Sequence, residues 1–425
     1  MEFSHIQGLD EEFVLHTYSR FKVAFTHGEN ATLYDTQNRD YIDFGSGIGV
    51  VSVGHNNPKL TQAITKQAAK LLHTSNLYYI QNQAALAHNL ITLYRDNAPL
   101  PMRAFFANSG AEANECNLIT LYRDNAPLPM RAFFANSGAE ANECAIKIAR
   151  KYGKQRNAYK IITLDSSFHG RTITSLKATA QEKMHEHFGP FPDGFVYAKD
   201  VSDIYNLIDS STCAVLLELV QGEGGVCPLD KTQIQALASH LKQKQILLMI
   251  DEVQSGIYRC GEIFASKVYG ISPEVITTAK GLGGGVPIGA VLTTLTGIFA
   301  PSDHGSTFGG NALSCAAGLC VLEILSQMHE NGTLKETISY FDTKLDSLVA
   351  AFPQIFSHKV GLGLMCGIYT QNPNLLPNIV ESALNQGVLV LKSGKGVLRL
   401  LPPLSINKDE IDLGFSRLES ALKTL

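Results

Sequence analysis

Residues 246–254 read ILLMIDEVQ: five apolar side chains in a row, then an aspartate, a glutamate, a valine and a glutamine. An unbroken apolar run suits a strand buried on both faces, the situation of a parallel sheet covered by helices. The same pattern recurs in KIITL (160–164), AVLLELV (214–220), VITT (275–278) and IGAVL (288–292), and 231–244 between them has helical spacing. Such runs separated by helices predict an α/β fold with a mainly parallel central sheet. Ligands of open α/β sheets gather beyond the carboxyl ends of the strands. Asp251, placed there by a wholly apolar strand, is therefore the first candidate for chemistry. A carboxylate at such a place is costly to bury unless a cation or hydrogen bonds hold it. The alternative, a strand-end acid turned to solvent, is weakened by Glu252 and Gln254 beside it.

Across 425 residues, 17% are charged and 45% hydrophobic, enough apolar material for a large core. At about 150 residues per domain the length predicts two or three domains. A formal net charge of −4 leaves no basic excess to hold nucleic acid. No run approaches the roughly eighteen apolar residues of a membrane span, and the opening MEFSHIQGLDEEF lacks a signal peptide's basic-then-apolar order. The expectation is a cytoplasmic protein with no membrane and no nucleic-acid partner. The eight cysteines form no C-x-x-C pair and read as reduced, mostly buried thiols.

Residues 89–116 read NLITLYRDNAPLPMRAFFANSGAEANEC, and residues 117–144 repeat them letter for letter. Solenoids need about three or more repeats, usually diverged. Two perfect copies mark instead a recent duplication, natural or engineered. Helical stripes decide which copy is used. After the second copy, Ala141, Cys144, Ala145, Ile148 and Tyr152 share one helical face; the first copy would put Ala113, Cys116, Asn117, Thr120 and Asp124 there. Upstream, Leu86, Leu90 and Leu93 stripe the helix that runs into copy one. The intact helices are then the one entering copy one and the one leaving copy two, with about one repeat length extruded near 96–124. The strand RAFFA at 131–135 is expected in the sheet. Its twin at 103–107 is expected to be exposed or added at an edge, so that 136–143 rather than 108–115 is the working loop.

That loop contains Ser137-Gly138-Ala139-Glu140, a serine three residues before a glutamate where a helix opens. The pattern reads as a capping box, and free N–H groups at such a helix start suit a phosphate. Alone it is equally a well-capped helix. Lys280 stands between VITTA and the run GLGGG, where flexible backbone could close around a cofactor. A dinucleotide loop there is disfavoured by Pro287. Phe168-His169-Gly170-Arg171 follows KIITLD and sets an aromatic ring and a guanidinium at another strand exit, suited to stacking and to forking a carboxylate. A core Phe beside a surface Arg explains those letters equally well. His185-Glu186-His187 lacks an i, i+4 histidine pair and reads as a solvated helix face rather than a metal site.

Taken together the motifs resemble the class III pyridoxal-phosphate aminotransferases, and among them most closely the acetylornithine aminotransferases. The matching stretches are DFGSGIGVVSVGH (43–55), LLHTSNLYY (71–79), NSGAEANE (136–143), FHGRT (168–172), LELVQGEGG (217–225), IDEVQSGIYRCG (250–261), TTAKGLGGGVPIGA (277–290), HGSTFGGN (304–311) and LRLLPPL (398–404). They follow the family's order along nearly the whole chain. The extra repeat copy is a departure, as is Ala139 where many relatives have threonine.

The resemblance implies the aspartate-aminotransferase-like fold, pyridoxal 5'-phosphate fold type I: an N-terminal segment (1–75) joining the small domain, a large cofactor-binding domain (76–315) and a C-terminal small domain (316–425). It implies that Lys280 bonds the cofactor's aldehyde and shuttles a proton, and that Asp251 pairs with the ring nitrogen. Gln254 would approach the phenolic oxygen and Phe168 would stack on the ring. Ser137, Gly138 and Ala139 would cradle the phosphate, with Thr307 supplied by the other subunit of a homodimer with shared active sites. On the substrate side it implies Ser306, Arg171 for the α-carboxylate and Arg399 for a second carboxylate. Glu223 would cover Arg399 when the substrate's distal end is uncharged and swing away for a dicarboxylate. The implied reaction moves the δ-amino group of N2-acetylornithine to 2-oxoglutarate in arginine biosynthesis. The alternatives are ornithine, succinylornithine, succinyldiaminopimelate or 4-aminobutyrate as donor, or a protein impaired by its duplication.

Overall fold

The computed structural model describes residues 1–95 and 129–425. In chain order its strands are β1 (Phe25–Glu29), β2 (Thr32–Asp35), β3 (Asp40–Asp43), β4 (Arg131–Ala135), β5 (Lys160–Leu164), β6 (Phe195–Ala198), β7 (Thr212–Leu217), β8 (Val220–Gln221), β9 (Cys227–Pro228), β10 (Leu247–Asp251), β11 (Val275–Thr278), β12 (Gly289–Thr293), β13 (Phe356–Leu362), β14 (Met365–Thr370), β15 (Val388–Leu389), β16 (Leu391–Ser393) and β17 (Val397–Leu400). The central sheet runs β4-β12-β11-β10-β7-β5-β6. Every residue of β7 and β10 is buried, as their apolar runs demand. The sheet is parallel except at β12, which runs antiparallel to both β11 and β4. Residues 279–288 explain the exception: a parallel return needs a crossover of about a dozen residues or more, usually a helix. This link holds only the short turn Lys280–Gly283.

The sheet takes its β4 from the second repeat copy, with Ala135 opposite Gly289 and Arg131 opposite Thr293. Helix Gly138–Gly153 follows, and Ala141, Cys144, Ala145 and Ile148 on its inner face are buried. Helix Gln81–Tyr94 enters the first copy with Leu86 and Leu90 buried. The stripes are thus satisfied by the entry of copy one and the exit of copy two. The expected extrusion near 96–124 and the surplus strand at 103–107 lie outside the described residues.

Helix Ala312–Glu330 packs against Gln81–Tyr94 and Pro58–Ala68. Among the described residues it is the one helix long and apolar enough to cross a membrane. Cys315, Val321, Leu322 and Leu325 on it are buried in the main core. Beyond it, β13-β14-β17-β16 make an antiparallel sheet, while β15 pairs in parallel with β3, so that the N-terminal meander shares a sheet with a strand near the chain's end. The N-terminal segment also holds two helices, Phe3–Phe13 and Pro58–Ala68. The second had a legible signal, since the Asn57 side chain accepts from Lys59 and Leu60 N–H and Pro58 occupies the first turn.

Candidate active site

The carboxyl ends of the parallel strands open on a cavity of about 380 Å³. Its floor is Asp251, the last residue of β10, only 4% exposed. One carboxylate oxygen, Oδ2, accepts from Asn142 Nδ2 at 2.7 Å and from His169 Nδ1 at 2.8 Å. The other, Oδ1, accepts the Val253 N–H at 3.0 Å. Asn142, on helix Gly138–Gly153, also donates to the His169 carbonyl at 2.7 Å and accepts from Thr277 Oγ1 on β11 at 2.7 Å. His169 Nε2 is buried without a partner. The aspartate is therefore held by three hydrogen bonds, which satisfies the condition that its burial imposes.

Lys280 heads the turn after β11 with φ +39°, the left-handed region that costs a non-glycine residue energy. Ser52 Oγ fixes the turn by donating to the Gly281 carbonyl at 2.7 Å. Desolvation first, then the Arg399 guanidinium, lowers the Lys280 pKa to about 8, against the opposing charges of Glu223, Asp251 and Glu218. An amine so poised is partly neutral at physiological pH and competent to attack a carbonyl.

Ser137 caps helix Gly138–Gly153, its side chain accepting from Glu140 N–H at 3.2 Å. The expected capping box is only half made. The Glu140 carboxylate reaches past Ser137 to Asn136, accepting its N–H at 3.1 Å and its Nδ2 at 2.9 Å, because Asn136 offers two donors to one oxygen. Gly138 is required by the protein itself: a Cβ there would lie 2.6 Å from Val253 Cγ1, so the loop sits directly on the residue that follows Asp251 and Glu252.

Phe168 lines the cavity, its N–H donating to Glu218 Oε2 at 2.9 Å, and the exposed Arg171 guanidinium stands 5.6 Å from the Phe168 ring centre. Glu218 is a buried carboxyl, and burial raises its pKa above the usual carboxylate range. Arg399 on β17, 3% exposed, donates to Glu223 Oε1 at 2.7 Å, to the Gly222 carbonyl at 3.2 Å and to Gln254 Oε1 at 3.5 Å.

Of the residues singled out from the sequence, Ser137, Gly138, Ala139, Phe168, Arg171, Glu223, Asp251, Gln254 and Lys280 line this one cavity, with Arg399 behind Glu223. Ser306 and Thr307 do not line it. Ser306 Oγ accepts from Asn136 Nδ2 at 3.1 Å beside the phosphate-type loop, and Thr307 is exposed. Sequence reasoning passed over Asn142 and Glu218. Each is a polar letter inside an apolar pattern, in EANECAI and AVLLELV, and that interruption was the available signal. His185, set after a short turn rather than on a helix, places Nε2 2.9 Å from the Leu176 carbonyl and 2.7 Å from that of Thr179. No cluster able to hold a metal occurs among the described residues.

The donor set fits pyridoxal 5'-phosphate. A capped helix start suits the phosphate, a hydrogen-bonded buried carboxylate suits a positively charged ring nitrogen, and an amine of lowered pKa suits an aldehyde.

The sequence matches the family described as "Aminotransferase class-III" over residues 14–123 and 117–422. It is 55% identical to acetylornithine aminotransferase of Wolinella succinogenes over 98% of this chain and 99% of that one. It is 40% identical to the Aquifex aeolicus protein of the same name over 96% of this chain and all of that one. Among solved structures, N-acetylornithine aminotransferase from Stenotrophomonas maltophilia superposes with a TM-score of 0.77 at 30% identity, covering 98% of both chains. Ornithine aminotransferase from Toxoplasma gondii gives a TM-score of 0.85 at 26% identity, over all of this chain and 96% of that one. Since the matches run through every strand that builds the cavity, this chain belongs to the class III aminotransferases.

Proposed function

We propose that the protein uses pyridoxal 5'-phosphate to transfer the δ-amino group of N2-acetyl-L-ornithine to 2-oxoglutarate, giving N-acetylglutamate 5-semialdehyde and glutamate, a step of arginine biosynthesis. The observation that carries this reading is the Arg399–Glu223 pair, 2.7 Å apart, beside the cavity that holds Lys280 and Asp251. Acetylornithine has one carboxylate, whereas glutamate and 2-oxoglutarate have two. Arg171 takes the carboxylate that both kinds of substrate share. Arg399, 3% exposed, stays neutralised by Glu223 for the donor and takes the second carboxylate of the acceptor when Glu223, 31% exposed in its side chain, moves aside.

When bound, pyridoxal phosphate supplies the electron sink for the carbon that gives up its proton. Ser137, Gly138 and Ala139 hold the phosphate, Phe168 covers the ring, and Gln254 meets its phenolic oxygen. Asp251 stabilises the protonated ring nitrogen. Lys280 Nζ would hold the cofactor and, as a free amine, would take and return the substrate proton.

We also infer a cytoplasmic homodimer with shared active sites, and the domain division 1–75, 76–315 and 316–425. Leu71, Leu72, Leu77, Tyr78, Tyr79 and Phe308 are exposed apolar side chains, Leu77 at 87%, more than a lone chain keeps in water. The exposed Thr307 adjoins Phe308 and is free to reach a partner's phosphate site.

The test is a donor panel with purified protein, pyridoxal phosphate and 2-oxoglutarate, comparing N2-acetylornithine, succinylornithine, ornithine, succinyldiaminopimelate and 4-aminobutyrate. The highest kcat/KM is expected for N2-acetylornithine. A preference for another donor would reassign the substrate, and a protein that stays colourless with added cofactor would show it to be impaired.

A further inference from the structure

Asn142 is 1% exposed, and both ends of its amide are engaged. Nδ2 donates to Asp251 Oδ2 and to the His169 carbonyl, and Oδ1 accepts from Thr277 Oγ1, each at 2.7 Å. The Asp251 carboxylate and the His169 carbonyl fix which way the amide faces, since both can only accept and so both meet Nδ2, which leaves Oδ1 to Thr277. The residue thus joins the ends of β10 and β11 and the loop after β5 to the helix that begins at the phosphate-type loop. It lines the cavity wall with both amide hydrogens already engaged, so it has no donor left for a ligand.

We propose that Asn142 is a positioning residue that, together with His169, occupies Asp251 Oδ2 and so presents Asp251 Oδ1 to the nitrogen of the cofactor ring. Among the described residues Oδ1 accepts only the Val253 N–H at 3.0 Å, and it keeps a lone pair for the cavity. Without Asn142, the carboxylate could turn about its terminal torsion, which is soft, and the oxygen that faces the ring would no longer be fixed. The proposal rests on Asp251 being the partner of the ring nitrogen. It also gives the second repeat copy a duty beyond its phosphate loop: copy two carries the asparagine that reaches Asp251.

The test measures the dissociation constant of pyridoxal phosphate from the cofactor-free protein by absorption titration, with thermal unfolding of each variant and the kcat and KM of the acetylornithine reaction alongside. Asn142→Leu removes two donors to charged or carbonyl acceptors and is expected to weaken cofactor binding about tenfold or more. It should lower kcat while leaving the KM for acetylornithine near its original value, because both amide hydrogens of Asn142 are already engaged within the protein. Thr277→Val removes only the bond that anchors the amide oxygen and should act in the same direction by a few-fold.

In an Asp251→Asn background the Asn142→Leu loss should shrink to less than twofold, because residues acting through one another are not additive. A folded Asn142→Leu protein with unchanged cofactor affinity would overturn the proposal, as would a loss of equal size in the Asp251→Asn background. If Asn142→Leu does not fold, Thr277→Val decides, and an unchanged affinity there overturns it. Should Asp251→Asn itself leave affinity and activity intact, the assignment of Asp251 fails, and the positioning role fails with it.

Discussion

Lys280 loses its proton near pH 8 instead of at the ordinary 10.5, because burial and the Arg399 charge both oppose a cation. Covalent capture of pyridoxal phosphate needs the neutral amine. Its initial rate in the cofactor-free protein should therefore rise with pH through about 8 and then level off, as followed by the growth of visible absorption; a rate still climbing steeply at pH 10 would contradict the shift. Glu223 offers a second test at this scale. Replacing it with alanine leaves Arg399 buried beside a substrate that brings no second carboxylate. We expect Glu223→Ala to lower kcat/KM for acetylornithine about tenfold more than for glutamate, since an unpaired buried charge is costly. Equal losses for the two donors would remove the switch. Asp251 was legible in the letters because it follows a wholly apolar run, where a charge has no bland reason to be, and Lys280 because it stands between a strand and a glycine run. Asn142 was not, because its helical stripe accounts for the small apolar residues around it and says nothing about which strand ends it meets.

Helix Gly138–Gly153 shows the same division among elements. Its apolar face selects copy two without any tertiary knowledge, since only there does Ile148 follow Cys144 and Ala145. The reason for Gly138 was not visible: it makes room for Val253, which is far away in sequence. Gly138→Asp should therefore force the loop off the strand end and set an anion at the phosphate site, abolishing measurable cofactor binding. Gly110→Asp, the matching change in copy one and outside the described residues, should leave binding within about twofold, since the strand and the loop that line the cavity come from copy two. The reverse order in a cofactor titration would assign the working loop to copy one. The antiparallel β12 was likewise decided by chain length, because the link after Lys280 is too short for a crossover.

For the whole molecule, both flanking helices are satisfied by one repeat unit. Deleting 89–116 regenerates a seamless junction and should give a protein that melts at or above the temperature of the parent chain; a lower melting temperature would mean that the surplus copy contributes to the fold. Thr307→Ala should weaken cofactor binding although Thr307 does not line the active-site cavity of its own chain, and an unchanged affinity would argue against shared sites. What the sequence determined by itself was the alternation of buried strands and helices, the repeat copy in use and the charged letters at strand ends. Periodicity and the cost of burying charge are local properties, and they are written in consecutive residues. What only the tertiary structure decided was which ends meet. Asn142, Thr277, His169 and Asp251 come from four separate stretches and converge within hydrogen-bond distance. Arg399 finds Glu223 across 176 residues of chain. Such pairings depend on how strands are ordered in the sheet, and no local pattern of side chains encodes that order.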